Sequence, residues 1–186
     1  VLWTRLDPTL APGTGEIFWG LSTTPDMSEV IAAGPIEVGP DADWTAKVLV
    51  EGLDADTSYW FRFSVDGVPS PTGRARTLPA ENADTPLRLA FASCQNWASG
   101  WYQAWDAIAA EDLDAVIWVG DYIYESSGRF TLTDVRSDTV GEAETLDQYR
   151  AKYRMYRGDR SLQAGHAAQR RSAAHRLFQP CSAPWK

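Results

Sequence analysis

The stretch that most constrains this chain runs from Leu87 to Glu125, and it reads strand, turn, helix, strand. Leu87-Arg88-Leu89-Ala90-Phe91-Ala92 is a short apolar run that ends in Ser93-Cys94-Gln95-Asn96. A helix is predicted from about Trp101 to Glu111, because Trp101, Trp105 and Ile108 repeat at i, i+4 and i+7 on one face. Ala115-Val116-Ile117-Trp118-Val119 then runs straight into Gly120-Asp121-Tyr122-Ile123-Tyr124-Glu125. Short, uninterrupted apolar runs of this kind predict fully buried parallel strands. Two such strands joined through a helix form a βαβ unit. In open α/β sheets, ligands bind just beyond the carboxyl ends of the strands. Here those positions hold Cys94 after the first strand and Asp121 and Tyr124 after the second.

A thiolate, a carboxylate and a phenolate together suit a trivalent or strongly Lewis-acidic ion. Coordination would deprotonate all three outright. Asp121 and Tyr124 could face one ion, because a turn follows the strand. Each residue also has a plainer reading. A lone Cys at a strand end is more often a small buried hydrophobe than a ligand. Gly-Asp after a buried strand is common in α/β proteins. A disulfide between Cys94 and Cys181 is conceivable, but it would consume a ligand. His166, one of two histidines, is expected to pack or cap on a short helix. Glu125 either supports the site or caps the turn.

Residues Val1 to Pro79 read as all-β. Strands are predicted over Val1–Leu6, Glu16–Leu21, Trp44–Val50, Ser58–Val65 and about Thr72–Thr77. Their residues alternate with period 2: Ile17, Trp19 and Leu21 share a face, as do Trp44, Ala46, Val48 and Val50, and Tyr59, Phe61, Phe63 and Val65. Asp66-Gly67 is a strong hairpin signal. Gly52-Leu53-Asp54-Ala55-Asp56-Thr57-Ser58-Tyr59 resembles the approach to a late strand of fibronectin type III domains, where a Tyr forms a corner with the loop before it.

Ala80 to Pro86 reads as a polar linker. Ser126 to Glu144 is polar and irregular. Thr145 opens a helix with Gln148 at the capping-box position and an apolar stripe of Leu146, Tyr149, Tyr153 and Tyr156. Another short helix starts near Asp159 and carries Leu162 and His166. From Gln169 to Lys186 there are four basic residues and no acidic one. That stretch could bind a polyanion, could be a solvated terminus, or could reflect a broken reading frame, which is the favoured expectation. The net charge of −8 argues against nucleic-acid binding by the chain as a whole. No apolar run approaches the roughly 18 residues that span a membrane. Two cysteines do not make a disulfide framework.

Ser93-Cys94-Gln95 followed by Gly120-Asp121-Tyr122-Ile123-Tyr124-Glu125 resembles the PhoD-like alkaline phosphatases, a branch of the metallophosphoesterases. Other branches place Asp-x-His after the first strand, and here Ser93-Cys94-Gln95 stands there. The resemblance extends from about Val1 to His166. It implies a two-part α+β chain: an immunoglobulin-like β-sandwich over 1–79, a linker over 80–86, and the first βαβ part of a metallophosphoesterase domain over 87–168, followed by an aberrant basic tail over 169–186. It implies hydrolysis of phosphate mono- and diesters with iron(III) and calcium, Cys94 and Tyr124 binding iron and Asp121 bridging to calcium. Calcium takes about six to eight oxygen ligands, more than this sequence identifies. The family's Asp-Asp-His-Glu motif is absent, so the chain is expected to be an incomplete and inactive fragment. No catalytic acid or base is identified. A monomer acting outside the cytoplasm, in the periplasm, at the cell surface or secreted, is expected from the family. A non-catalytic binding module is the alternative, to be favoured if the first domain presents a large exposed aromatic patch, for which Trp60 is a candidate.

Overall fold

The computed structural model describes residues 1–9, 15–126 and 135–168. Two compact units divide them, Val1–Leu87 and Arg88–Ala168.

The first unit holds seven strands: β1 (Leu2–Arg5), β2 (Glu16–Ser22), β3 (Val30–Glu37), β4 (Thr45–Val48), β5 (Ser58–Val65), β6 (Val68–Pro69) and β7 (Gly73–Arg76). β1 and β4 form an antiparallel pair, and β3, β2, β5, β6 and β7 form a second antiparallel sheet. The alternation seen in the sequence becomes one shared core. Leu2, Ala46 and Val48 come from the pair, Ile17, Leu21, Tyr59 and Phe63 from the larger sheet, and all are buried together. Asp66 and Gly67 both adopt positive φ, at 48° and 78°, as the tight two-residue turn between β5 and β6 requires. The strand that returns first is therefore β6, and β7 pairs with the other half of β5. A side chain at Gly73 would place its Cβ 2.3 Å from the Phe61 ring, so β7 can approach only with glycine there. The Tyr59 hydroxyl accepts the Asp54 N–H at 3.0 Å, tying the loop to the strand at the predicted corner. Trp60 is only half-exposed, and the Arg74 guanidinium lies 5.8 Å from its ring centroid. β3 has no counterpart among the predicted strands. Pro35 interrupts its pattern, and an edge strand tolerates that interruption because one side of its ladder is unpaired.

Residues 1–79 draw their core from their own strands. Expressed alone, this segment should give a strand-type circular dichroism spectrum and melt cooperatively. A spectrum of disordered chain would contradict that.

The second unit is built on β8 (Leu89–Ala92) and β9 (Ala115–Trp118), a parallel pair in the register Leu89 to Ala115 through Ala92 to Trp118. The crossover between them is α1 (Gln103–Ala110), followed later by α2 (Leu146–Arg157) and α3 (Arg160–Ala168). The expectation of fully buried strands is corrected here. Val116 and Trp118 are buried, with Ala90 and Ala92 packed against the same core, but Phe91 is 67% and Val119 58% exposed. Leu89 and Ile117 lie on that open face as well. An uninterrupted apolar run does not say which of its faces is covered, and here one is.

The covered face carries an aromatic layer. Trp105 stacks on Trp118 at 5.4 Å and on His166 at 4.9 Å, and Tyr122 meets Trp118 edge-on. Gly165 allows this, because a Cβ there would stand 2.4 Å from the Trp105 ring. Trp101 falls outside α1 and is exposed, so only Trp105 and Ile108 of the predicted stripe face the core. The capping box at the start of α2 is present, with the Thr145 side chain accepting the Gln148 N–H and the Gln148 side chain returning to the Thr145 N–H. Its stripe is narrower than predicted: Tyr153 and Tyr156 pack inward, while Leu146 and Tyr149 are exposed. Lys152, one residue before Tyr153, is fully buried with its ammonium paired to Asp138. Arg136 and Asp159 form a second buried pair at 2.5 Å. The Arg136 guanidinium lies 3.8 Å from the Trp97 ring centroid and 4.3 Å from that of Tyr102. The basic stretch from Gln169 and Cys181 within it lie outside the described residues.

Candidate metal centre

Beyond the strand ends the parallel ladder continues for a few residues. Val119 N–H donates to the Ala92 carbonyl at 2.9 Å, Cys94 N–H to Gly120 at 3.3 Å, and Gln95 N–H to Asp121 at 3.2 Å. The turns after β8 and β9 therefore lie side by side. Cys94 has φ 60° and Asp121 φ 55°, both in the left-handed region that non-glycine residues seldom occupy. Such positions cost on the order of 1–3 kcal/mol each and persist only where their surroundings hold them. Gly120, at φ 133°, makes the bend that leads into Asp121.

The two strained turns bring side chains together. The Cys94 thiol donates to Oδ2 of Asp121 at 3.6 Å, and the Tyr124 hydroxyl donates to the same oxygen at 3.0 Å. Cys94 is exposed, and Asp121 and Tyr124 are half-buried. Burial raises the Tyr124 phenol above its ordinary value, and its hydrogen bonds to Asp121 and Cys94 raise it further. Both hydrogen bonds of the trio end on that one Asp121 oxygen. Among the described residues no Lys or Arg forms an ion pair with Asp121. Three groups that can become anionic donors thus meet around one carboxylate oxygen, and among the described residues no cationic side chain forms an ion pair with it.

That donor set fits a strongly Lewis-acidic ion bound by thiolate, carboxylate and phenolate. It does not by itself fit calcium, because the converging oxygens are those of Asp121 and Tyr124, against the roughly six to eight that calcium takes. Among the described residues no cluster of three His, Cys, Asp or Glu side chains occurs. The arrangement here needs the phenol as its third member.

His166 belongs to the aromatic layer. Its ring stacks on Trp105, and its Nε2 lies 2.9 Å from the Tyr122 hydroxyl. The Glu125 carbonyl accepts the Ala143 N–H at 2.8 Å, and the residue is exposed.

Two buried side chains, Tyr156 of the predicted stripe and Gln95 of the Ser93-Cys94-Gln95 motif, hold groups at these turns. Tyr156 is fully buried, and its hydroxyl accepts the backbone N–H of Trp97 at 3.1 Å. Gln95 is buried and makes four hydrogen bonds. Its amide nitrogen donates to the Tyr122 carbonyl at 2.8 Å, and its side-chain oxygen accepts the Trp105 indole N–H at 2.9 Å. Its backbone N–H reaches Asp121, and its carbonyl accepts the Tyr102 hydroxyl at 3.3 Å. The signal for Gln95 was its place beside Cys94; its partners lie on segments that only folding brings near.

Residues 89–171 match the family described as PhoD-like phosphatase, and residues 1–79 match its N-terminal domain. The chain is 35% identical over 178 residues to alkaline phosphatase D of Bacillus subtilis (strain 168), covering 90% of this chain and 30% of that protein. A solved structure titled "Structure of PhoD" superposes with a TM-score of 0.82 at 34% identity, covering 90% of this chain and 34% of that one. The chain therefore spans about a third of the length of these relatives.

Proposed function

The chain belongs to the PhoD-like phosphatase family, and from that membership we propose that residues 88–168 form one wall of a metal-dependent site hydrolysing phosphate mono- and diesters. The observation that carries this reading is the meeting of Cys94, Asp121 and Tyr124 on a single carboxylate oxygen, across two strained turns. Iron(III) is the ion we assign to them. When bound, such an ion supplies Lewis acidity toward a phosphoryl oxygen and a hydroxide nucleophile near neutral pH. The chain's own residues do the preparatory work. Cys94 and Tyr124 would release to solvent the protons that join them to Asp121, and the Tyr156 hydroxyl holds the Trp97 N–H beside the first turn. No step is assigned to calcium.

Addition of chelated ferric ion tests the proposal. One ion should be retained per chain after dialysis, and Asp121→Ala should retain none. Equal retention by both would refute it.

Around this site we assign an immunoglobulin-like sandwich to 1–79 and a linker to 80–86. The start of the catalytic domain occupies 87–168. We propose that the 186-residue chain alone is inactive, because the ligands identified in it make only one side of a dimetal site. A monomeric protein working outside the cytoplasm completes the reading. Among the described residues no helix is long and apolar enough to cross a membrane.

A further inference from the structure

We infer that Gln95 is the positioning residue of this site, locking the turns after β8 and β9 together so that the Cys94, Asp121 and Tyr124 donors converge. The inference rests on the metal-site reading above and names what holds it. Cys94 and Asp121 sit in left-handed conformations that would relax if left free. Gln95 stands next to Cys94 in the chain and bonds across to both residues that follow Gly120. Its N–H holds the Asp121 carbonyl, and its side-chain amide holds the Tyr122 carbonyl at 2.8 Å. The same side chain is anchored from behind by the Trp105 indole at 2.9 Å, and Trp105 is itself stacked between Trp118 and His166. The amide thus transmits the rigidity of the aromatic layer to the two ligand-bearing turns. Glutamine is suited to this place because it offers a donor nitrogen and an acceptor oxygen at the end of one planar group. A methionine would fill the space and make neither bond. An asparagine would keep the amide but fall a methylene short of spanning both partners.

The test uses the 186-residue chain and cobalt(II), whose thiolate bond absorbs in the near ultraviolet. Four proteins are compared: the parent, Cys94→Ser, Gln95→Met and Gln95→Asn. The parent should show the thiolate band, and Cys94→Ser should lack it. Both Gln95 variants should bind cobalt about 10–100-fold more weakly, as loss of a residue that orients a ligand does. A metal-free readout accompanies this. Amide exchange at Cys94 and Gln95, whose N–H groups bridge the turns, should quicken about tenfold or more in either Gln95 variant, as opening of a local unit does. Exchange at Val119, bonded to Ala92 within the ladder, should stay as in the parent. A uniform rise in exchange everywhere would mean that Gln95 merely stabilises the unit, and would overturn the inference. Unchanged cobalt affinity in both Gln95 variants would overturn it too. If the parent and Cys94→Ser bind cobalt alike, the metal-site reading itself fails, and the positioning role falls with it.

Discussion

Incubated with an aryl phosphate, ferric iron and calcium, the purified 186-residue chain should release almost no phosphate. Dimetal hydrolysis depends on two ions clamping the attacking and the leaving oxygens. Among the described residues three donors converge from two adjacent turns, enough for one side of such a clamp. The sheet beneath them is a pair of strands whose second face leaves Phe91 and Val119 open to solvent. A site of this kind must be fixed by a surrounding shell before it can hold reacting atoms in place. Loss of a single supporting residue typically costs about 10–100-fold. A site with only the ligands and shell that the described residues supply should fall short by more than the upper end of that range. Metal-dependent turnover that disappears in Asp121→Ala would contradict the expectation. It would show that further residues of this chain supply ligands.

Asp159→Ala should bring the second unit close to unfolding. The Asp159 carboxylate makes two contacts. One carboxylate oxygen pairs with Arg136 at 2.5 Å, and the other accepts the Leu162 N–H at 3.0 Å at the start of α3. Both charged side chains are about 5% exposed. Removing one partner of a buried pair strands the other charge and costs about 3–5 kcal/mol. The lost helix cap adds about 1 kcal/mol. A domain's whole stability is on the order of 5–15 kcal/mol, so the sum is a large part of it. Asp159→Asn keeps an acceptor for the cap and should fall between the parent and alanine. Urea unfolding followed by tryptophan fluorescence reads both variants. A loss under about 1 kcal/mol in Asp159→Ala would mean that the stacking of Arg136 on Trp97 and Tyr102 satisfies that guanidinium without the carboxylate.

The sequence was most legible where one rule set the outcome. β5 spans Ser58–Val65 as its alternation indicated, and the Thr145 capping box opens α2 at the predicted residue. The bend after each strand of the βαβ unit, with its ligand-type residues, was also visible as a pattern. Burial was harder to read wherever it depended on what lies opposite. Tyr149 looked like core by spacing yet is exposed, while Lys152, outside the predicted stripe, is buried against Asp138 from an irregular segment. β3 went unread because its Gly34 and Pro35 are weak strand formers, accepted at an edge. Gln95 and Tyr156 could not be recognised as clamps from sequence. Their partners are backbone groups and an indole from distant segments, and no residue pattern marks a carbonyl as an acceptor.

The central claim is that Cys94, Asp121 and Tyr124 hold one metal ion together, and the visible spectrum of the ferric chain tests it most directly. The Tyr124 phenol is raised by burial and by Asp121 and Cys94, so it stays protonated at neutral pH until a cation displaces the proton. Binding should therefore weaken as the pH falls and ligand protons compete. Titration with chelated iron(III) should produce a phenolate-to-iron charge-transfer band that saturates at one ion per chain. Tyr124→Phe should lose the band while keeping the parent's circular dichroism spectrum. A band of undiminished strength in Tyr124→Phe, or iron bound with no band at all, would contradict the account.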